Sequence, residues 1–239
     1  MINRLLLMAA VFGFCVEAFA VEFDLKRQVD IYKQMYNLKN PYDKLVDNRG
    51  DGYDGLYGVR NFRVVLHGIY YRGGANNKYN RINKRPNQNP LQNHALKNLC
   101  KNGFSEALYL YRDNFSSANA NTDCRDFEND DQNLKYNQST AFDSSNQEKF
   151  INTVFRHIKG NRPGPLYAHC WNGWHASGMI AAMALQQFCG WSPQQALKYW
   201  TVNTDGNSSG YDSVKKRILE FKPYPQYQIT SNEKNLICP

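Results

Sequence analysis

One stretch in the C-terminal half constrains the fold most, because it joins a buried strand to a buried helix through a short loop. Residues 165–168 form a continuous apolar run typical of buried parallel strands, and residues 177–189 are apolar on nearly every side, as in a core helix. Cys170 and Gly173 lie in the connection. The pattern predicts a strand, a tight loop and a helix inside an α/β domain.

A loop of this kind favours an anion. Where a loop enters a helix, several backbone N–H groups lack partners within the helix, and the helix dipole adds partial positive charge. The same field favours the thiolate form of a nearby cysteine, which is the nucleophilic form. Cys170 is therefore a candidate nucleophile beside an anion-binding loop.

The loop resembles the signature loop of the cysteine-dependent protein tyrosine and dual-specificity phosphatases, which reads His-Cys, five residues, Arg, Ser or Thr, and Gly. The residues on this pattern are His169, Cys170, Gly173, Ser177 and Gly178. Residues 61–74 (NFRVVLHGIYYRGG) also resemble the first strands of atypical dual-specificity phosphatases. The resemblance covers residues 61–221 and implies one α/β domain: a short, mainly parallel sheet flanked by helices, with a helical C-terminal half.

The resemblance also implies roles for individual residues. Cys170 attacks phosphorus, Ser177 assists the departing thiolate, and His169 shapes the loop. Asp143 is the nearest candidate for the acid that protonates the leaving oxygen; a plain helix N-terminus is the alternative role for it. The residues implied to hold phosphate are Trp171, Asn172, Gly173, Trp174, His175, Ala176 and Gly178.

Ala176 departs from the pattern, because the family has at this position an Arg that binds two phosphoryl oxygens. Candidates to replace its charge are His175, Arg72 and Arg112. Two functions follow as alternatives: a phosphate monoester hydrolase with a phosphocysteine intermediate, or a pseudophosphatase that binds a phosphorylated or glycan ligand without turnover.

Other interpretations stay open for the same loop. Trp171 and Trp174 form a possible platform for a sugar or aromatic ring, and Cys170 has a purely structural alternative. No cysteine and histidine spacing matches a zinc site, and residues 47–55 fail the calcium-loop pattern, so we predict no metal and no cofactor.

The N-terminal residues suggest export. Residues 1–20 read as a signal peptide, with Arg4, an apolar run and Ala-Phe-Ala before the cleavage point, although a membrane anchor is the alternative. We predict an N-terminal extension over 21–60 with a helix and a Gly/Asp-rich loop, the phosphatase-like domain over 61–221, and a tail over 222–239. The mature chain is expected to lack a membrane span and to be periplasmic or secreted.

The cysteines fit an oxidising compartment. Five follow the predicted signal peptide, so four can pair and one is left over. If Cys170 is the free one, the others could close as Cys100–Cys124 and Cys189–Cys238, but four cysteines allow three pairings.

The net charge of +8 fits an anionic partner. We expect a phosphorylated small molecule, a lipid head group or a glycan, and no nucleic acid, since no nucleic-acid-binding motif accompanies the charge.

Helices are predicted over 91–102, over 146–160 with a capping box from Ser145 to Glu148, from Pro193 and over 212–221. A strand is predicted over 107–111, and loops over 76–93 and 114–139.

Overall fold

One mixed six-stranded sheet organises the part of the chain that the computed structural model describes, residues 23–75, 89–112 and 115–239. Its strands are β1 Arg60–Leu66, β2 Tyr70–Gly74, β3 Glu106–Tyr109, β4 Asn121–Arg125, β5 Asp131–Gln138 and β6 Leu166–Cys170. They lie in the order β1-β2-β6-β3-β5-β4; the three central pairings are parallel and the two edge pairings antiparallel. The predicted signal peptide and most of the predicted loop over 76–93 lie outside these residues.

Helices cover both faces of the sheet. They are α1 Leu25–Tyr36, α2 Asn93–Lys101, α3 Ser144–Ile158, α4 Ala176–Cys189, α5 Pro193–Val202, α6 Asp212–Glu220 and α7 Ser231–Ile237. The buried apolar side chains form two clusters against the sheet. One contains the buried side chains of α2 and most of those of α1, and the other contains those of α3 to α7. The α/β class with a mainly parallel sheet and a helical C-terminal half is confirmed. None of the helices among the described residues is long and apolar enough to span a bilayer.

The stretch that joins β6 to α4 folds as its pattern predicts. Every residue of β6 is buried, because β2 and β3 flank it and helices cover both faces. Helix α4 is buried on nearly all sides and ends at Gly190, whose φ of 70° is the left-handed conformation that glycine tolerates best. The strand and the helix therefore hold the two ends of the loop rigidly.

Two local predictions are wrong. Residues 114–139 contain the antiparallel hairpin β4–β5 rather than an unstructured connection. Its strands are polar because the outer face meets solvent, and only four side chains, those of Thr122, Cys124, Leu134 and Tyr136, are buried. The cap of α3 is Asp143, whose carboxylate accepts from the Ser145 backbone N–H at 3.0 Å, so the predicted capping box at Ser145 is absent from this helix.

Two disulfide bonds tie the surface to the core. Cys100 bonds to Cys124 and Cys189 bonds to Cys238, while Cys170 is free. This is the pairing expected with Cys170 as the odd cysteine. The first bond joins α2 to the hairpin, and the second joins the end of α4 to the C-terminal tail.

Removal of the second disulfide is expected to lower stability. Its 49-residue separation predicts a loss of about 4 kcal/mol in unfolding free energy from the restored entropy of the unfolded chain. The measurement is urea unfolding of the double variant Cys189→Ser, Cys238→Ser beside the oxidised parent. An unchanged midpoint would show that this disulfide adds nothing to the unfolding free energy.

Candidate active site

Cys170 lies where the sheet meets the loop. It is the last residue of β6, and α4 begins six residues later at Ala176. Its side chain is buried, and its Sγ lies 3.4 Å from the Ser177 hydroxyl in the first turn of α4. The sulfur and this hydroxyl are thus within contact distance, as the predicted roles of the two residues require.

The backbone carbonyl groups of the loop are held from one side by β1 and β2. Arg60 donates from Nε and Nη2 to the Trp171 carbonyl oxygen at 3.3 and 3.1 Å. Asn61 donates to the carbonyl oxygen of Asn172 at 2.6 Å. Arg72 Nη1 donates to that of Gly173 at 2.5 Å. Since N–H and C=O point in opposite directions across a trans peptide, the N–H groups that follow these carbonyls point away from the arginines. Such an arrangement leaves the N–H groups on the opposite side of the loop, where an anion can meet them.

Glycines allow β2 and the loop to approach this closely. A Cβ on Gly74 would lie 2.7 Å from the Asn172 carbonyl carbon, and one on Gly173 would lie 2.6 Å from the carbonyl carbon of Gly73. Gly173 also has a φ of 76°. Side chains at these positions would push the loop off the strand, so the paired glycines of β2 are part of the site's construction.

Three buried arginines, which we call the basic cluster, stand behind the loop: Arg60, Arg63 and Arg72. Burial, together with the positive charge of Arg72, lowers the pKa of Arg63 to about 10, so Arg63 stays protonated at neutral pH. Its Nη2 lies 3.5 Å from an Asp205 carboxylate oxygen, and Lys44 shares the same carboxylate at 2.6 Å. Among these side chains the positive charges outnumber the negative ones, so the cluster favours an anion nearby.

Arg72 is the candidate replacement that touches the loop. Besides its bond to Gly173, its Nε donates to the Tyr199 hydroxyl at 2.7 Å. Its Nη2 is buried and has no hydrogen-bond partner among the described residues. A buried charged donor without an acceptor is costly, so a ligand anion near this nitrogen would be stabilised.

The other two candidate replacements are His175, which ends the loop, and Arg112, which lies outside it. The His175 ring stacks on Tyr211 with centroids 3.6 Å apart, and its Nε2 contacts the carbonyl oxygen of Asn207 at 2.7 Å. Burial lowers the pKa of His175, which favours the neutral ring over the cation. Arg112 is exposed and lines a cavity beside the loop, which we call the side cavity.

His169 orients the end of β6. Its Nδ1 lies 3.2 Å from the Cys170 carbonyl oxygen and its Nε2 lies 2.8 Å from the Tyr136 hydroxyl. Burial lowers the pKa of His169 to about 4, so the ring is neutral at pH 7. The carbonyl oxygen can only accept, which assigns the proton to Nδ1 and leaves Nε2 to accept from Tyr136.

The lowered pKa of His169 makes stability depend on pH. The pKa of His169 is about 4 in the folded protein, below its ordinary value of 6.5. The neutral ring therefore contributes fully to the unfolding free energy above pH 6.5, and this contribution is lost as the pH falls toward 4. We expect the unfolding free energy to fall by about 1.4 kcal/mol per pH unit for this group. Urea unfolding at several pH values would measure the slope, and His169→Gln should reduce it. An equal slope in both proteins would contradict the assignment.

Asp143 caps α3 and lines the side cavity. Its carboxylate accepts from the Ser145 hydroxyl at 2.9 Å and from the Ser145 N–H. These hydrogen bonds, with a smaller effect from Arg112, lower the pKa of Asp143. The carboxyl group is therefore largely ionised at neutral pH, and its role as a proton donor stays a prediction.

The two tryptophans of the loop differ in their surroundings. The indole of Trp171 is 39% exposed, and its ring centroid lies 6.1 Å from that of Tyr111. Trp174 is only partly exposed and donates from Nε1 to Asp205 at 3.1 Å. Trp171 is thus the one whose ring lies beside a neighbouring exposed aromatic.

Sequence reasoning missed several residues that hold the loop. Arg60, Arg63, Tyr199 and Asp205 received no role, although Arg60 and Arg63 stand in a strand whose other residues, apart from Asn61, are apolar. A charged side chain within a buried strand is uncommon and needs a partner, which is the signal that could have identified them.

No protein-family model matches the sequence, and a comparison with curated proteins finds no match. Among solved structures, the core catalytic domain of the PP-IP phosphatase SIW14 from S. cerevisiae aligns over 68% of this chain and 86% of its own, at 12% identity and a TM-score of 0.41. Tk-PTP aligns over 68% of this chain and 98% of its own, at 13% identity and a TM-score of 0.43. TpbA from P. aeruginosa aligns over 66% of this chain and 86% of its own, at 14% identity and a TM-score of 0.43. At this level of similarity the matches carry no argument about chemistry. These three solved structures are cysteine-based phosphatases, the group whose signature loop the residues around Cys170 resemble.

Proposed function

We propose that the protein is an exported, cysteine-dependent phosphatase-like enzyme that hydrolyses a phosphate monoester through a phosphocysteine intermediate on Cys170. The observation that carries the proposal is a free, buried cysteine at the base of a loop whose carbonyl groups are held by the basic cluster. This arrangement combines a nucleophile with loop N–H groups that point away from the arginines and with excess positive charge.

The chemistry divides into two displacements. The Cys170 thiolate forms an S–P bond while the P–O bond to the leaving alcohol breaks, and the leaving oxygen takes the electron pair and a proton. Water then attacks phosphorus and returns a proton to the carboxylate that protonated the leaving oxygen, the S–P bond breaks, and the sulfur regains its electron pair as inorganic phosphate departs. The Ser177 hydroxyl, 3.4 Å away, donates a hydrogen bond to that sulfur in the second step.

Asp143 is the candidate donor of the proton to the leaving oxygen. Because its pKa is lowered, the protonated form gains population only as the solution becomes acidic. We therefore expect kcat to rise from neutral toward acid pH for substrates with poor leaving groups, and Asp143→Asn to remove that rise. A pH series with an alkyl phosphate measures it; an identical profile in the variant would exclude Asp143 as the donor.

Arg72 supports the proposal as the source of positive charge in place of the missing loop Arg. Its guanidinium lies against Gly173, and an added Cβ on Gly178 would lie 3.4 Å from its Nη1. It acts through the loop backbone from a fixed position, and its Nη2, which has no hydrogen-bond partner in the described part of the chain, adds charge to the same region. His175 and Arg112 have less support, since one is held by Asn207 and the other lies in the side cavity.

Export to a periplasmic or extracellular location is supported by the two disulfides, since such bonds persist in oxidising compartments. The sequence pattern of residues 1–20 supports the same location. Cys170 escapes pairing because its buried sulfur has no second free cysteine among the described residues.

The alternative is a pseudophosphatase that binds a phosphorylated or glycan ligand without turnover. Ala176 favours it, because the methyl group, 1% exposed, supplies no donor for the charge that develops on the phosphoryl oxygens. The alternative predicts anion binding with no release of phosphate.

One assay separates the two functions. The purified chain without residues 1–20 is incubated with phenyl phosphate and a panel of inositol phosphates, and binding of vanadate is measured in parallel by calorimetry. Release of phosphate, blocked by iodoacetamide and protected by vanadate, supports the enzyme. Vanadate binding without release supports the pseudophosphatase, and absence of both excludes an anion site.

A further inference from the structure

The side cavity lies at the carboxyl edge of the sheet, next to the end of β6 that carries the proposed nucleophile. It has a volume of about 300 Å³ and is lined by Leu110, Tyr111, Arg112, Thr140, Phe142 and Asp143. The N–H of Leu110 donates to the His169 carbonyl oxygen at 2.9 Å, and β3 runs parallel to β6 with Tyr109 opposite His169. Leu110 therefore lies beside Cys170 at the carboxyl edge of the sheet, so a group attached to a phosphate over Cys170 would extend into this cavity.

Three exposed aromatic rings lie at the cavity: Tyr111 and Phe142 line it, and Trp171 lies next to Tyr111. Tyr111 is 39% exposed, Phe142 38% and Trp171 39%, and the rings of Tyr111 and Trp171 lie near each other at an angle of 38°. Large aromatic surfaces in contact with water gain free energy when an apolar face covers them. Grouped beside an anion-binding loop, they form a surface for the organic part of a ligand.

Polar groups share the cavity with these rings. Arg112 offers several N–H donors, Thr140 a hydroxyl, and the ionised carboxylate of Asp143 only accepts. A phenyl ring has no hydroxyl groups to use such partners. A sugar ring has both an apolar C–H face for the aromatic rings and a rim of hydroxyls for Arg112, Thr140 and Asp143. The volume, near the lower end of the range of about 300–1,000 Å³ for ligand pockets, suits a single ring.

We propose that the side cavity takes the pyranose ring of a phosphorylated sugar whose phosphate group occupies the loop over Cys170. The inference deepens the proposed function and rests on its anion site. It names the substrate class as sugar phosphates, with Tyr111, Phe142 and Trp171 covering the ring face and Arg112 binding its hydroxyls.

Binding measured without turnover tests the proposal. Calorimetry with the Cys170→Ser protein compares glucose 6-phosphate, ethyl phosphate and phenyl phosphate, which share the phosphate group and differ in the attached group. We expect glucose 6-phosphate to bind about tenfold more tightly than ethyl phosphate, as a group that fills a pocket commonly does. Equal affinities for glucose 6-phosphate and ethyl phosphate, or tighter binding of phenyl phosphate than of the sugar phosphate, would overturn the proposal.

Variants assign the preference to the cavity. Phe142→Ala and Arg112→Gln are each expected to bring the ratio of the affinity for glucose 6-phosphate to that for ethyl phosphate closer to one. The matched control is Phe127→Ala, because Phe127 is a similarly exposed aromatic on the β4–β5 turn, outside the side cavity. A preference that survives both cavity variants, or that falls in the control as well, would place the sugar elsewhere.

Failure of the inference and failure of the proposed function give different results. If the parent protein releases no phosphate but the Cys170→Ser protein still prefers the sugar phosphate, hydrolysis is excluded and the cavity is supported. If the parent hydrolyses phenyl phosphate and the preference is absent, the cavity assignment alone is wrong. If no phosphate compound binds, both are wrong.

Discussion

Cys170→Ser is expected to remove phosphate ester hydrolysis almost completely. The substitution replaces the sulfur that forms the S–P bond with a hydroxyl that is not ionised near neutral pH, while the buried side chain keeps nearly the same shape and its neighbour Ser177. Loss of a covalent nucleophile costs several orders of magnitude, so kcat should fall at least about a thousandfold. Release of inorganic phosphate from phenyl phosphate measures the change.

The control for Cys170→Ser is the disulfide variant Cys189→Ser, Cys238→Ser. It also removes sulfur from the protein, but at the far end of α4. Assayed well below its unfolding temperature, it should keep most of the activity. Cys170→Ser should still bind vanadate, because the loop and the basic cluster are intact. Equal rates for Cys170→Ser and the parent would exclude the thiolate mechanism.

The fold was predictable where apolar residues run continuously along the sequence. Helix α4 is buried on nearly every side and β6 is a continuous buried run, so both follow from composition alone. The hairpin β4–β5 did not follow, since only four of its side chains are buried and pairing across the turn, rather than apolar content, defines it. Edge strands with one solvent face carry little apolar signal.

The site was predictable only as far as the motif reaches. The motif identified Cys170 and Ser177, whose atoms lie in contact. The odd cysteine count predicted that one cysteine stays unpaired, and in the structure this is Cys170. The motif gave no indication that Arg60 and Asn61 hold the loop, because those bonds join residues more than a hundred positions apart. Contacts of this kind depend on strand order, which places β1 and β2 beside β6.

Ala176→Arg is expected to raise the rate, and it decides whether the loop still accepts a phosphoryl group. Ala176 opens α4 at the position where the resembled family has its Arg, and a guanidinium from there could bind two phosphoryl oxygens in the transition state. Restoring such a donor is expected to raise kcat/KM by roughly a hundredfold. In a pseudophosphatase the same change would create activity.

Two further variants show whether such a gain comes from the guanidinium. Ala176→Met has comparable length without charge and should give no gain, while Ala176→Lys has the charge without the planar fork and should give a smaller one. Because Ala176 is buried, each variant is first shown to unfold cooperatively. If folded Ala176→Arg gains neither rate nor vanadate affinity, phosphate does not occupy the loop, and the positive charge of the basic cluster then stabilises only the loop backbone.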